Sequence, residues 1–187
     1  MLVWLPFVAT VLSAAAGLPA TETCFPTEAG LHSFKAEWFC KQLAAAEERR
    51  LSGDPAYRFS YIPSFHATRV VVAFMDKERP TVIGKVLSGK GGYEPGRLLR
   101  VTRRVLSTDE WRLLERRLDN AGLWELPDKY SREGFDGAEW VLEGRNQGRY
   151  SLHDVWSPTD STFPQYRKAC VYMLELAGIA PDTTQLY

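Results

Sequence analysis

Histidine is scarce: there are three in 187 residues, and His32, His66 and His153 stand far apart. No H-x-H, H-E-x-x-H or C-x-x-C spacing occurs, so the patterns that hold a structural or catalytic zinc are missing and no metal or cofactor is implied. A G-x-S-x-G elbow is also absent, and Ser64 with His66, two apart on an extended segment, has no evident oxyanion partner. Gly84 to Gly91 nearly spells a phosphate loop, but Gly91 stands where Ser or Thr must hold magnesium, and no helix follows. Charge of neither sign prevails, with 23 basic against 23 acidic residues. That balance gives no global pull towards nucleic acid or an anionic membrane. No internal repeat or low-complexity tract is visible.

A further absence is local. No charged residue lies between Leu2 and Ala20, and the apolar run from Leu2 to Val8 passes into Ser13-Ala14-Ala15-Ala16-Gly17. This is the layout of a secretory signal peptide, expected over residues 1–20, with cleavage after Ala16, Gly17 or Ala20. Membrane attachment follows only if the segment stays uncleaved, and Pro6, Pro19, Thr10 and Ser13 oppose an anchor helix. An exported chain meets an oxidising compartment, periplasmic or external. Any two of the three cysteines could pair there. Cys24 with Cys40 is the preferred bridge, and Cys170 reads as a small buried hydrophobe in a helix.

What remains is 45% apolar and 25% charged, the balance of an ordinary globular domain, expected as one unit over residues 21–187. Ser33 is read as the cap of a helix running to Arg50 with Phe34, Trp38 and Leu43 near helical spacing. Tyr57 to Ile62, Arg69 to Met75, Val82 to Leu87 and Leu98 to Leu106 are β-branched or alternating and separated by Gly or Pro, which predicts a four-stranded meander. Ser107-Thr108-Asp109-Glu110 is a capping box before the stripe Trp111, Leu114, Leu118, Ala121, which stops at Gly122. A hairpin of Ala138 to Glu143 and Arg149 to Trp156 precedes a last helix from Thr162 whose Tyr166, Ala169, Cys170, Met173, Leu174 and Ala177 face inward. The expectation is an α+β fold: an antiparallel sheet, meander plus C-terminal hairpin, with helices packed on one face.

The densest segment runs Gly134-Phe135-Asp136-Gly137-Ala138-Glu139-Trp140-Val141-Leu142-Glu143-Gly144, then Gly148-Arg149-Tyr150, then Trp156-Ser157-Pro158. A three-residue loop at Asn146-Gln147-Gly148 would put Trp140, Leu142, Tyr150, Leu152 and Trp156 on the core face. Glu139, Glu143, Arg149, Ser151 and His153 would then share the other, with Glu143 and Arg149 a cross-strand pair. Asp154 is expected towards the core, pairing with an Arg or capping the turn. This segment resembles a family of bacterial exported proteins of unknown function that carry D-G-x-x-W-x-L-E-G, G-x-Y, W-S-P and a C-terminal helix ending L-E-L-A-G, here Leu174 to Gly178. The resemblance covers roughly Trp111 to Gly178, supports the fold boundaries and implies no activity.

Two candidate sites follow. Glu139, Glu143, Arg149 and His153 could grip a polar ligand or act as acid and base, against a solvated sheet face. Arg100 and Arg104, on one strand face with Thr102, could dock an anion, against charges interleaved with Asp109, Glu110 and Glu115. Core packing accounts for Trp38, Trp111, Trp124, Trp140 and Trp156; a sugar or peptide groove would need some of them exposed. The leading expectation is an exported, non-enzymatic domain that binds an unknown protein or small polar ligand. A small hydrolase built on Glu139, Glu143 and His153 is the rival. The third is an inhibitor or immunity-like protein with an apolar patch near Tyr93 to Pro95 or Phe163.

Overall fold

A computed structural model describes residues 24–125, Gly134 and residues 136–187, apart from the Glu28 side chain. The expected signal peptide lies outside the described residues. Helices α1 (Ser33–Ala45), α2 (Thr108–Asn120) and α3 (Pro164–Leu176) accompany strands β1 (Ala56–Pro63), β2 (Arg69–Asp76), β3 (Arg79–Leu87), β4 (Leu98–Val105), β5 (Ala138–Asn146) and β6 (Arg149–Trp156). All strand pairs are antiparallel, in one six-stranded sheet of order β4-β3-β2-β1-β5-β6. The α+β expectation stands, with the meander and the hairpin joined where β5 adds beside β1.

The helices do not all lie on one face. α2 and α3 cover the face that carries Tyr57, Phe59, Tyr61, Val71, Ala73, Trp140 and Leu142. α1 covers the other, where Phe39, Leu43 and Ala46 meet Ala56, Ile62, Val70, Val72, Val141 and Leu152. The reason was present in β2, whose Val70-Val71-Val72-Ala73-Phe74 run is apolar at consecutive positions rather than alternating, which calls for cover on both sides. All eight β1 residues are buried.

Local chemistry sets the helix ends. The capping box forms as expected, with Ser107 Oγ accepting from Glu110 N–H and Glu110 Oε2 from Ser107 N–H. Gly122, at φ 75°, closes α2, with Leu123 N–H donating to Leu118 O at 3.1 Å. Trp111, Leu114 and Leu118 are buried beneath it, each worth about 1.5–3 kcal/mol relative to exposure. α1 departs from expectation at both ends. His32, not Ser33, is its N-cap and gives no side-chain bond. The helix stops at Ala45 because Glu47 turns left-handed at φ 53°. Lys85 Nζ, donating to the Glu47 carbonyl, and Arg58 Nη1, donating to the Glu48 carbonyl, fix that turn from the sheet below.

The β5–β6 hairpin corrects a second expectation. Its turn is two residues, Gln147 and Gly148 at φ 51° and 74°, with Asn146 opposite Arg149. Positive φ at both positions is the type I′ geometry. Asp54 clamps it, accepting from Gln147 N–H at 2.6 Å and Gly148 N–H at 3.0 Å. One residue fewer in the loop turns β6 over relative to β5. Tyr150, Leu152, Asp154 and Trp156 therefore share the α1 face with Glu139 and Glu143, while Ser151 and His153 join Trp140 and Leu142 beneath α2 and α3.

Candidate functional site

With β6 reversed, the expected polar cluster of Glu139, Glu143, Arg149 and His153 does not form. Both sheet faces are covered, so neither is the solvated alternative. His153 is buried under α2 and α3, its Nε2 at 2.8 Å from Leu123 O and 2.8 Å from Ser151 Oγ. Arg149 is exposed, lying over the Trp124 ring at 5.1 Å. The three residues of the hydrolase reading thus point to separate places. Arg100 and Arg104 are also spoken for: they donate to the Gly178 and Leu176 carbonyls at the end of α3, and Arg104 also pairs with Glu110. Cations there satisfy the orphan carbonyls of a helix terminus, so the expected anion site is a helix cap. Phe163 packs half-buried against the α3 core.

Glu143 belongs to a closed ionic unit. Arg58 Nε and Nη2 donate to its two oxygens at 2.7 and 2.8 Å, and Tyr150 O–H donates to Oε2 at 2.9 Å. The Arg58 and Glu143 side chains are 0% and 1% exposed. Burial first, then the Glu143 charge, drives the Tyr150 hydroxyl far above its usual range. Phe25 covers the guanidinium at 5.6 Å from its ring centroid. It is held there by the Cys24–Cys40 disulfide, whose Cα atoms are 5.4 Å apart.

A different arrangement sits at the other end of the same face. A cleft of about 290 Å³ lies between the first turns of α1, the end of β1, the start of β5 and the end of β6. Its walls are aromatic: Phe34 and Trp38 from α1, Tyr93 from the bend before β4, and Trp156 from β6. Phe34 and Tyr93 stand 73% and 77% exposed at the rim. Trp38 Nε1 donates to the Gly92 carbonyl at 3.0 Å, and the buried Gln42 amide donates to the same oxygen, which holds Tyr93 in place. Trp156 is set by the glycines of the motif. A Cβ at Gly137 would stand 2.4 Å from Ser157 Oγ and 2.6 Å from the indole. Only glycine lets the chain cross the Trp156 ring so closely. Ser157 Oγ then accepts from Ala138 N–H and Ser64 Oγ from Gly137 N–H, closing the strand ends.

Lys35 and Glu139 line this cleft, with Asp154 beside them. The Lys35 ammonium reaches Asp154 Oδ2 at 2.5 Å and Glu139 Oε1 at 3.3 Å. Burial alone pulls the amine down, but the charges and hydrogen bonds of the two carboxyls outweigh it and hold Lys35 above its usual range. Burial is also the main cause at Glu139, reinforced by the hydrogen bond and charge of Asp154 and opposed by Lys35; its carboxyl is pushed up to about 9. Glu139 therefore stays protonated at neutral pH, and the ammonium sits closest to Asp154 Oδ2. Glu139 Oε2 and Asp154 Oδ1 are both buried and accept from no other side chain or backbone N–H among the described residues; the proton that Glu139 keeps lies between the two carboxyls.

Of the expected polar cluster only Glu139 faces this cleft, and Tyr93, expected in an apolar patch, stands at its rim. Lys35 and Trp38 come to it from α1 and Asp154 and Trp156 from β6, and Trp38 and Trp156 are not pure core residues as expected. Among the described residues no cluster of three His, Cys, Asp or Glu is arranged to hold a metal, and no helix is long and apolar enough to cross a membrane. In comparisons with known proteins, no family model matches the chain and no curated protein is similar to it.

Proposed function

We propose that the protein is an exported, non-catalytic binding domain, periplasmic or secreted, and that the cleft lined by Lys35, Trp38, Tyr93, Glu139 and Trp156 is its ligand site. One observation carries the reading: four aromatic side chains wall a cleft of about 290 Å³ into which the Lys35–Glu139 pair converges. Concave, mostly apolar sites with a few convergent polar groups are where ligands bind. The disulfide supports residence in an oxidising compartment, in line with the charge-free first twenty residues and the resemblance to exported proteins.

A catalytic reading would use Glu139 as a protonated general acid beside Asp154. Against glycoside hydrolysis, the two carboxyls hydrogen-bond to each other, whereas retaining and inverting pairs stand about 5–5.5 and 6.5–9.5 Å apart. Lys35 also ion-pairs with both, which takes away the free base.

The test is to titrate the protein with a mixed library of saccharides, peptides, nucleotides and fatty acids while following the indole N–H resonances. Binders are expected to move the Trp38 and Trp156 signals and to be lost in Tyr93→Ala. Binders that leave both indoles unmoved would dismiss the cleft, and conversion of a binder to product would replace binding by catalysis.

A further inference from the structure

We infer that the cleft recognises one ring of a neutral saccharide, a step that rests on the binding reading above and names its ligand class. The first ground is charge. The Lys35 ammonium is already held between two carboxyls, Asp154 Oδ2 at 2.5 Å and Glu139 Oε1 at 3.3 Å. A charged ligand would have to compete with these pairs at the cost of its own desolvation. A neutral polyol meets what it needs, an ammonium and carboxyl oxygens within a few ångströms, against hydroxyls that both donate and accept.

The second ground is a carboxyl in the wall: Glu139 lines the cleft with its side chain 7% exposed, 3.3 Å from the Lys35 ammonium, so an acid and an ammonium stand side by side for a ligand hydroxyl. The third is shape. Sugar rings present flat C–H faces to aromatic rings, and four aromatic side chains wall this cleft, two of them exposed at its mouth. Its volume of about 290 Å³ is at the lower limit of the ~300–1,000 Å³ typical of ligand pockets, so it takes a single ring while the rest of a chain runs out over Phe34 and Tyr93.

Isothermal titration with neutral cello-, malto-, manno- and chito-oligosaccharides, run beside oligoglucuronides and deacetylated chito-oligosaccharides, tests the inference. At least one neutral series should bind. Its charged counterpart should bind at least tenfold more weakly, and Trp156→Ala, Tyr93→Ala and Glu139→Gln should each weaken the neutral ligand about tenfold or more. Tyr93 and Glu139 keep the test informative if the Trp156 variant does not fold. Failure of every neutral series, with binding of a peptide or a charged glycan that moves the Trp38 and Trp156 resonances, overturns the saccharide and leaves the binding cleft. Failure of all ligands to move those resonances overturns both.

Discussion

The two ionic clusters on the α1 face each set one cation against a glutamate of β5 and end differently. At one end Arg58, Glu143 and Tyr150 form a closed set: one cation and one anion in bidentate contact, with a hydroxyl on a remaining lone pair. At the other end one ammonium, Lys35, faces two carboxyls that hydrogen-bond to each other, and the cluster opens on an aromatic cleft. A buried ion pair is weak evidence of function when every group is matched, because geometry and desolvation account for it. A mismatch that persists in a cleft needs another explanation. The comparison thus separates Glu143 from Glu139, four residues apart on one strand and indistinguishable as acidic residues in the sequence.

The difference can be broken most severely at the closed end. Arg58→Ala or Glu143→Ala leaves one buried charge without its partner and should cost about 3–5 kcal/mol, read from urea unfolding. Replacing both by Met and Leu should restore most of that loss; if the double variant is as unstable as the singles, the unit is held by something other than charge matching. Losing the disulfide comes next. Cys24→Ser with Cys40→Ser removes a bridge of sequence separation 16, worth on the order of 3 kcal/mol. It also frees Phe25 from Arg58, so amide protection should fall around Arg58 and stay unchanged at Glu139.

Tyr150→Phe removes one hydrogen bond to a charged group, about 1.5 kcal/mol, and no change in unfolding free energy would show Arg58 alone satisfies Glu143. The smallest effect belongs to the open end. Glu139→Gln keeps a donor towards Asp154 and should change stability at pH 6 by less than about 1 kcal/mol. Its signature lies in the pH profile. Folded Glu139 keeps its proton up to about 9, while the unfolded chain loses it near the ordinary value of 4.5. Above 4.5 the native state binds the extra proton, so stability should fall as pH rises from about 5 to 9. The variant should lack that decline, and an identical slope in both proteins would place the buried proton elsewhere.

Much of the fold was legible because its cues are local. The capping box at Ser107 and Glu110, the stripe Trp111, Leu114, Leu118 and the glycine stops at Gly122 and Gly178 specify α2 and α3 from neighbouring residues alone. The hairpin was legible as a hairpin, but its register was not. That depends on Gln147 taking a left-handed turn, and the Asp54 carboxylate that clamps it lies 93 residues away. The one-residue difference moved His153 from the expected site and brought Asp154 and Trp156 into the real cleft. Lys35 gave no signal, since a lysine in the first turn of a helix usually points to water and its carboxyl partner is 119 residues distant. Within the densest segment the side chains go separate ways: Gly137 makes room for Trp156, Glu143 and Tyr150 serve Arg58, and Glu139 faces the cleft.

The pairing of β5 with β1 is where two sequence-local units meet: the meander, each strand hydrogen-bonded to the next along the chain, and the hairpin closed by its own turn. This junction asks the chain to close a long loop, and its Arg58–Glu143 contact spans 85 residues. Contacts of that separation are slow to form, because loop entropy is lost before they reward it. The junction also builds the cleft, because Glu139 enters against Ile62 in the same register. A chain with both units formed but not yet joined has its helices and hairpin, and no cleft.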